Sequence, residues 1–429
     1  MTGTGGARPE TRAVREACEP GSLAAFGWAL FERWREAGAP AKHGWALAQL
    51  GATGDDGTVR ALVPVVRAWP GEGGHAKAAA GLDVLAEIGT DVALMHLHGI
   101  AQKARYSALQ DRAGEKVEEI ADKRGLTAGE LADRLVPRLG LDASGGLALD
   151  YGPRRFHVGF DERLKPFVTD QEGRPRKTLP KPGAKDDRAR AAASYERFAA
   201  LKKDVRTVAA TQIERLEAAM VEGRRWTAAE FREHLAGHPL LRHLVRRLVW
   251  LADGKAFRVA EDGTFADAAD EAFDLPEDAR IGVAHPVHLG DAAAAWAEVF
   301  ADYEILQPFP QLGRPVHALT DAERASGDLG RFTGVTVPVG RILGLERRGW
   351  RRGAPMDAGV QETVSRVLPG GHEVVVVLDP GIPVGYVDGA GDQRIGRVVL
   401  ERGRRFGDLG PVAASEMLAD LTETVGAGH

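Results

Sequence analysis

The chain is 429 residues long, with 44% hydrophobic residues, 27% charged residues and a formal net charge of -5. That length exceeds one ordinary core, so two or three domains are expected, and the single cysteine, Cys18, excludes an internal disulfide and any zinc site built on two cysteines. The first twenty residues lack the apolar core of a signal peptide and no run of about eighteen apolar residues occurs, so the sequence predicts a cytoplasmic protein without a membrane span.

From about 20 to 140 the chain reads as helix after helix. Leu23, Phe26, Leu30 and Trp34 give Ser22–Ala37 a helical stripe. Lys42–Leu50, Val59–Trp69 and His75–Ile88 follow, broken by Gly54-Asp55-Asp56-Gly57 and by PGEGG. Leu50-Gly51 and Ile88-Gly89 lie thirty-eight residues apart, each before a turn and an apolar helix. A period near forty predicts a short HEAT-like array; a non-repeating helical bundle is the plainer alternative. Alternation at Phe156, Val158 and Phe160 then predicts a β-meander near 147–180.

A long helix is expected from about Asp187 to Val221, with Phe198, Leu201, Val205, Val208, Ile213, Leu216 and Met220 along one seam. Thr227 with Glu230 reads as a capping box opening the next helix. Leu240–Leu251 is read as a further helix carrying Arg242, His243, Arg246 and Arg247. FRVAEDGTFAD is a hairpin signal through its Asp-Gly turn. RIGVAHPVHL reads as a strand entering a loop, Asp291–Asp302 as a helix, and ILQPFPQLGRPVHAL as an extended proline-pinned segment. Glu373–Leu378 and Val384–Val387 are expected as strands flanking DPGIP, and Pro411–Thr424 as a closing helix. The fold class is α+β, predominantly α, in three regions: a helical HEAT-like 1–145; a β-meander, long helix and basic helices over 146–255; and an α+β region over 256–429.

Charge is segregated along the chain. Residues 174–206 hold eleven Lys/Arg against four Asp/Glu, whereas 261–280 hold eight acids against one Arg. P-loop, GxSxG and HExxH signatures are absent, so nucleotide, α/β-hydrolase and zincin chemistry lack their anchors. The binding candidates are cationic: Lys181, Lys185, Lys202, Lys203 and Arg206; then Arg224, Arg225 and Trp226; then Arg347 and Arg348 beside Trp350. Arginine next to tryptophan can grip phosphate and stack on bases, and it is equally ordinary surface chemistry. The acidic insert could also neutralise these groups within the chain. His285, His288 and His317 are the alternative catalytic candidates, through proximity to Arg or Asp. No cofactor or metal is expected. Asp186 and Asp187 read best as complements to a helix N-terminus.

LPKPGAKDD, LKKDVRTVAATQIERLEAAMVEGRRW, HPLLRHLVRRLVW, FADYEILQPFPQLGRP, LGLERRGWRRGAPMDAG and LDPGIPVG follow in order. Together they resemble the C-terminal domain of unknown function of bacterial MolR-type (molybdate metabolism regulator) proteins, over about 147–424. The first 140 residues are similar to the HEAT-like region that precedes that domain, and no WGR module is apparent. The resemblance implies a regulatory or scaffold role and a protein partner such as a MoxR-type AAA+ ATPase or a von Willebrand A protein. The leading expectation is a non-enzymatic cytoplasmic scaffold or regulator. Its rivals are an enzyme with an unfamiliar His/Arg/Asp site and a nucleic-acid-binding protein using the basic helices.

Overall fold

The structure, a computed structural model, describes residues 17–356, 359–386 and 389–426. It is α+β with helix predominating, and it divides into two compact units: residues 1–160 with 166–211, and 161–165 with 212–429. The division falls inside the long helix.

The first unit opens with α1 (Pro20–Glu36), α2 (Asp56–Ala68), α3 (His75–Ile88), α4 (Asp91–Lys103), α5 (Ser107–Lys123) and α6 (Ala128–Arg134). Their apolar stripes share one core that includes Phe31, Leu62, Leu85, Leu97 and Leu131. The helix expected at 42–50 is instead a chain of short helical turns, Ala41–His43, Trp45–Ala48 and Leu50–Thr53. Asp55 caps α2 by accepting the Thr58 N–H, and Thr90 caps α4 by accepting the Ala93 N–H. The two repeat-like glycines occupy different places. Gly89 ends α3 in the left-handed region at φ 63°, whereas Gly51 lies inside a helical turn.

A four-stranded antiparallel meander follows: β1 (Leu147–Asp150), β2 (Arg155–Phe160), β3 (Pro166–Asp170) and β4 (Pro175–Arg176). Phe156 and Val158 are buried while His157 is exposed, as the period-two pattern requires. The loop after β4 is tied down. Tyr151 donates its hydroxyl to Pro180 O (2.8 Å), and Asp186 accepts from Arg154 Nε (2.9 Å) and the Gly183 N–H (2.7 Å). Asp187 accepts the N–H groups of Ala189 and Arg190, so it caps α7 (Arg188–Glu222). Both aspartates are thus structural. At 35 residues α7 is about 50 Å long. Every residue of its expected seam is buried except Ile213, which is half-buried.

The second unit contains two five-stranded sheets. One has the order β5 (Trp226–Thr227), β9 (Arg280–Val283), β6 (Trp250–Ala252), β7 (Lys255–Val259), β8 (Phe265–Ala266). The Thr227–Glu230 capping box is present, and β7–β8 is the expected Asp-Gly hairpin. The helix expected through 251 is corrected: only Arg242–Val245 is helical, and Trp250 begins β6. Asp253-Gly254, with φ 48° and 88°, turns β6 into β7, so hairpin pairing overrides the helical reading of the apolar run. Trp250 is fully buried against Phe231 and Trp226.

The other sheet has the order β10 (Thr336–Pro338), β14 (Asp392–Leu400), β13 (His372–Pro383), β12 (Val360–Leu368), β11 (Arg351–Arg352). β13 runs unbroken through DPGIP, pairing Asp379 with Arg394 and Ile382 with Gln361, and Val384–Tyr386 is a turn instead of a new strand. Residue 387 of that expected strand lies outside the described residues. One sheet face packs Val374, Val376 and Ile395 against Met417, Leu418 and Leu421 of α9 (Pro411–Val425). A further helix, α8 (Ala292–Asp302), buries Trp296 and Phe300.

The proline-pinned segment after α8 is held by Gln311, which is fully buried. Its Oε1 accepts the Val249 N–H (2.9 Å), and its Nε2 donates to Val249 O (2.8 Å) and Ala284 O (2.7 Å). Gln311→Leu leaves the Val249 N–H and Ala284 O unpaired, while Val249 O keeps the Ala284 N–H (3.0 Å), and we expect a loss of about 2 kcal/mol in urea unfolding. A loss under about 1 kcal/mol would show that the clamp is dispensable.

Candidate functional site

The second unit contains a cleft of about 1030 Å³. Its walls are the end of α7, the segment around Arg314 and His317, Arg347 and Arg348, the β12–β13 turn, and α9. α9 is the key element. It is buried along most of its length, yet it places Glu416 and Asp420 on the cleft side, one helical turn apart.

Each carboxylate accepts three hydrogen bonds. Glu416 accepts Arg314 Nε at 2.7 Å and Nη2 at 2.8 Å, a two-point fork. Arg314 Nη1 continues to Glu217 Oε1 on α7 at 2.7 Å. His285 Nδ1 accepts the Val287 N–H (3.1 Å), so Nε2 carries the proton and donates to Glu416 Oε1 (3.1 Å). Burial alone would raise the Glu416 pKa, but the hydrogen bonds from His285 and Arg314 and the Arg314 charge outweigh it and lower it to about 2. Asp420 accepts Trp350 Nε1 (2.8 Å) and Arg366 Nη1 (2.6 Å) on Oδ2, and Arg348 Nη1 (3.1 Å) on Oδ1. Arg348 also pairs with Glu423 at 2.5 Å. The floor of the cleft is therefore a rigid ionic lattice.

Arg347, Arg348, Trp350 and His317 come together at this cleft, the first three through one short connection before β11. Trp350 is buried with its indole on Asp420, so it offers no open ring face for stacking. Trp226 is likewise buried, with the Arg224 guanidinium 4.9 Å from its ring centroid. Arg225 is half-buried, and burial pushes its pKa down against the opposing pull of Asp253. Lys181, Lys185, Lys202, Lys203 and Arg206 belong to the first unit and are exposed, Lys202 lying 4.9 Å from the Phe198 ring centroid.

His285 is fully buried behind the Glu416 wall. His288 stands next to it, ring centroids 6.4 Å apart, and burial followed by the Arg225 charge holds its pKa below the usual imidazole range. His317 lines the cleft and its backbone N–H donates to Ser415 Oγ (3.0 Å). Among the described residues no three or more His, Cys, Asp or Glu side chains are placed to hold a metal ion. The acidic insert turns to its own unit: Asp270 pairs with Arg258 at 2.6 Å and accepts the Tyr303 hydroxyl.

Sequence reasoning missed Arg314, Arg366, Glu416 and Asp420. The available signal was SEMLADLTETV, in which acids recur at helical spacing within an otherwise apolar helix.

Residues 173–350 match the family described as "Domain of unknown function (DUF4132)". Over 345 residues the chain is 43% identical to "Uncharacterized protein YehI" of Escherichia coli (strain K12), a match that covers 78% of this chain and 28% of that protein. The chain thus spans about 28% of the length of the curated relative it matches. No solved structure matches it. Among the described residues no helix is long and apolar enough to cross a membrane.

Proposed function

We propose that this relative of the uncharacterised Escherichia coli protein is a non-enzymatic binding module that holds a polypeptide partner in the cleft of its second unit. One observation carries the reading: the charged floor is already neutralised from within. A general acid or base should titrate near the working pH, whereas Glu416 is held near 2 by Arg314 and His285. Carboxylates held by internal arginine, histidine and indole donors give shape and rigidity, not proton transfer. At about 1030 Å³ and open on one side, the cleft is at the upper end of small-ligand pockets, a size suited to part of a chain. The MolR-type resemblance favours a regulatory or scaffold role in the cytoplasm, and it makes MoxR-type AAA+ ATPases and von Willebrand A proteins the first partners to try. The buried indoles of Trp226 and Trp350 weigh against nucleic-acid stacking there.

The test places a photo-crosslinking amino acid at Ala419, on the cleft wall, and in a control chain at the exposed Glu118 of the first unit. Irradiation in bacterial extract should give a discrete polypeptide adduct, identified by mass spectrometry, from position 419 alone. Adducts only to nucleic acid, or none, would overturn the proposal.

A further inference from the structure

The cleft contains an open sheet edge. β11 covers β12 only at Val364 and Ser365, and beyond them the Gly353 N–H bonds Thr363 O (2.8 Å). In an antiparallel ladder alternate residues turn their N–H and C=O groups to the same side. Because Thr363 O accepts from Gly353, Thr363 turns its backbone groups towards β11, and Val364, Arg366 and Leu368 turn theirs towards β13. Thr363, Ser365 and Val367 therefore point the other way. The residue that would continue β11 opposite Val367 is Gly349, but it closes a helical turn at φ 86° and its N–H goes to Glu346 O. By this alternation the Val367 N–H and C=O face the edge beyond β11, away from Glu373, its register partner on β13. The Val367 side chain is 65% exposed, and the residue lines the cleft.

Charge marks what fits beside it. Arg347 is exposed on the same cleft and has no ion pair among the described residues, unlike Arg348, Arg366 and Arg314. Glu222, at the end of α7 on the opposite wall, is also exposed and has no ion pair among the described residues. We propose that the β12 edge at Val367 takes an extended polypeptide segment as an added strand, with an acidic side chain of that segment meeting Arg347. The two backbone hydrogen bonds at Val367 set register, and the charge contact sets sequence preference. Because Pro369 cannot donate, pairing ends there, and the added strand is short. This proposal rests on the polypeptide-binding reading and specifies the conformation and charge of the ligand.

The test selects ten-residue linear peptides from a displayed random library on the full chain, then measures amide exchange with the selected peptides bound. Selected peptides should be rich in Asp or Glu and should slow exchange of the Val367 amide at least tenfold. Arg347→Glu should weaken them at least tenfold and shift a new selection towards Lys and Arg. Glu118→Gln, at an exposed position of the first unit, should leave binding within about twofold. Selected peptides that leave Val367 exchange unchanged, or that bind Arg347→Glu equally well, would overturn strand addition. If Ala419 still crosslinks a polypeptide in that case, the binding role stands and only its geometry fails. A library that yields no binder overturns the strand proposal, and a silent Ala419 probe overturns the binding role itself.

Discussion

Asp420→Ala is expected to destabilise the second unit by about 4 kcal/mol, the largest effect of any single replacement in the cleft. Three donors converge on this carboxylate, from Trp350, Arg366 and Arg348. The Trp350 indole is 2% exposed, so its N–H cannot turn to water once the acceptor is gone, and an orphaned buried donor costs about 1–3 kcal/mol. Arg366 is also largely covered, whereas Arg348 keeps Glu423. Asp420→Asn should cost less, because an amide oxygen can still accept from Trp350. In an Arg366→Ala background the cost of Asp420→Ala should shrink by about 1–2 kcal/mol, the signature of a shared interaction. Urea unfolding of the parent and the four variants reads these differences. A cost below about 1 kcal/mol for Asp420→Ala would show that the lattice does not hold the cleft.

Glu416 gives the second large effect, and it depends on pH. Its folded pKa is about 2 against an ordinary value of 4.5. A carboxyl group whose pKa is depressed by folding contributes stability that is fully present above about 4.5 and is lost as pH falls through 2. The full shift corresponds to about 3 kcal/mol, and partial solvent screening at the cleft mouth reduces this to about 2 kcal/mol. Glu416→Gln should therefore cost about 3 kcal/mol at neutral pH, where an amide NH₂ would face the donors of Arg314. The gap between parent and variant should narrow by about 2 kcal/mol between pH 5 and pH 2. Other acids protonate over the same range, so the parent–variant difference, not the parent curve, is the diagnostic. A gap that stays constant with pH would mean Glu416 is not ionised against Arg314.

Both effects come from residues far apart along the chain. Arg314 and Glu416 are separated by 102 positions, and Arg366 and Asp420 by 54. No local pattern announces such a pair. The long helix, the meander and the Asp-Gly hairpin were legible because each is written in near-neighbour spacing: the seam of α7, the alternation at Phe156 and Val158, the turn at Asp262-Gly263. The stretch 240–251 was misread because an apolar run fits a buried helix and a buried strand equally well. There the Asp253-Gly254 turn, two residues past the run's end, carries the deciding information. The strand expected after DPGIP failed for a related reason. Proline reads as a break, yet pairing on both sides of β13 carries the strand through it.

The cationic candidates show the same limit. Sequence named Arg347 and Arg348 as a basic surface beside Trp350. Tertiary packing turned Trp350 inward onto Asp420, tied Arg348 to Asp420 and Glu423, and left Arg347 exposed without an ion pair among the described residues.

By itself, the order of amino acids settled the α+β class, the main helices, the meander and the absence of familiar catalytic signatures, because those properties follow from local periodicity and short motifs. Folding in three dimensions decided which charges cancel, which indoles are hidden and where a strand edge is left open. Desolvation and ion pairing depend on distances between segments that spacing along the chain does not encode.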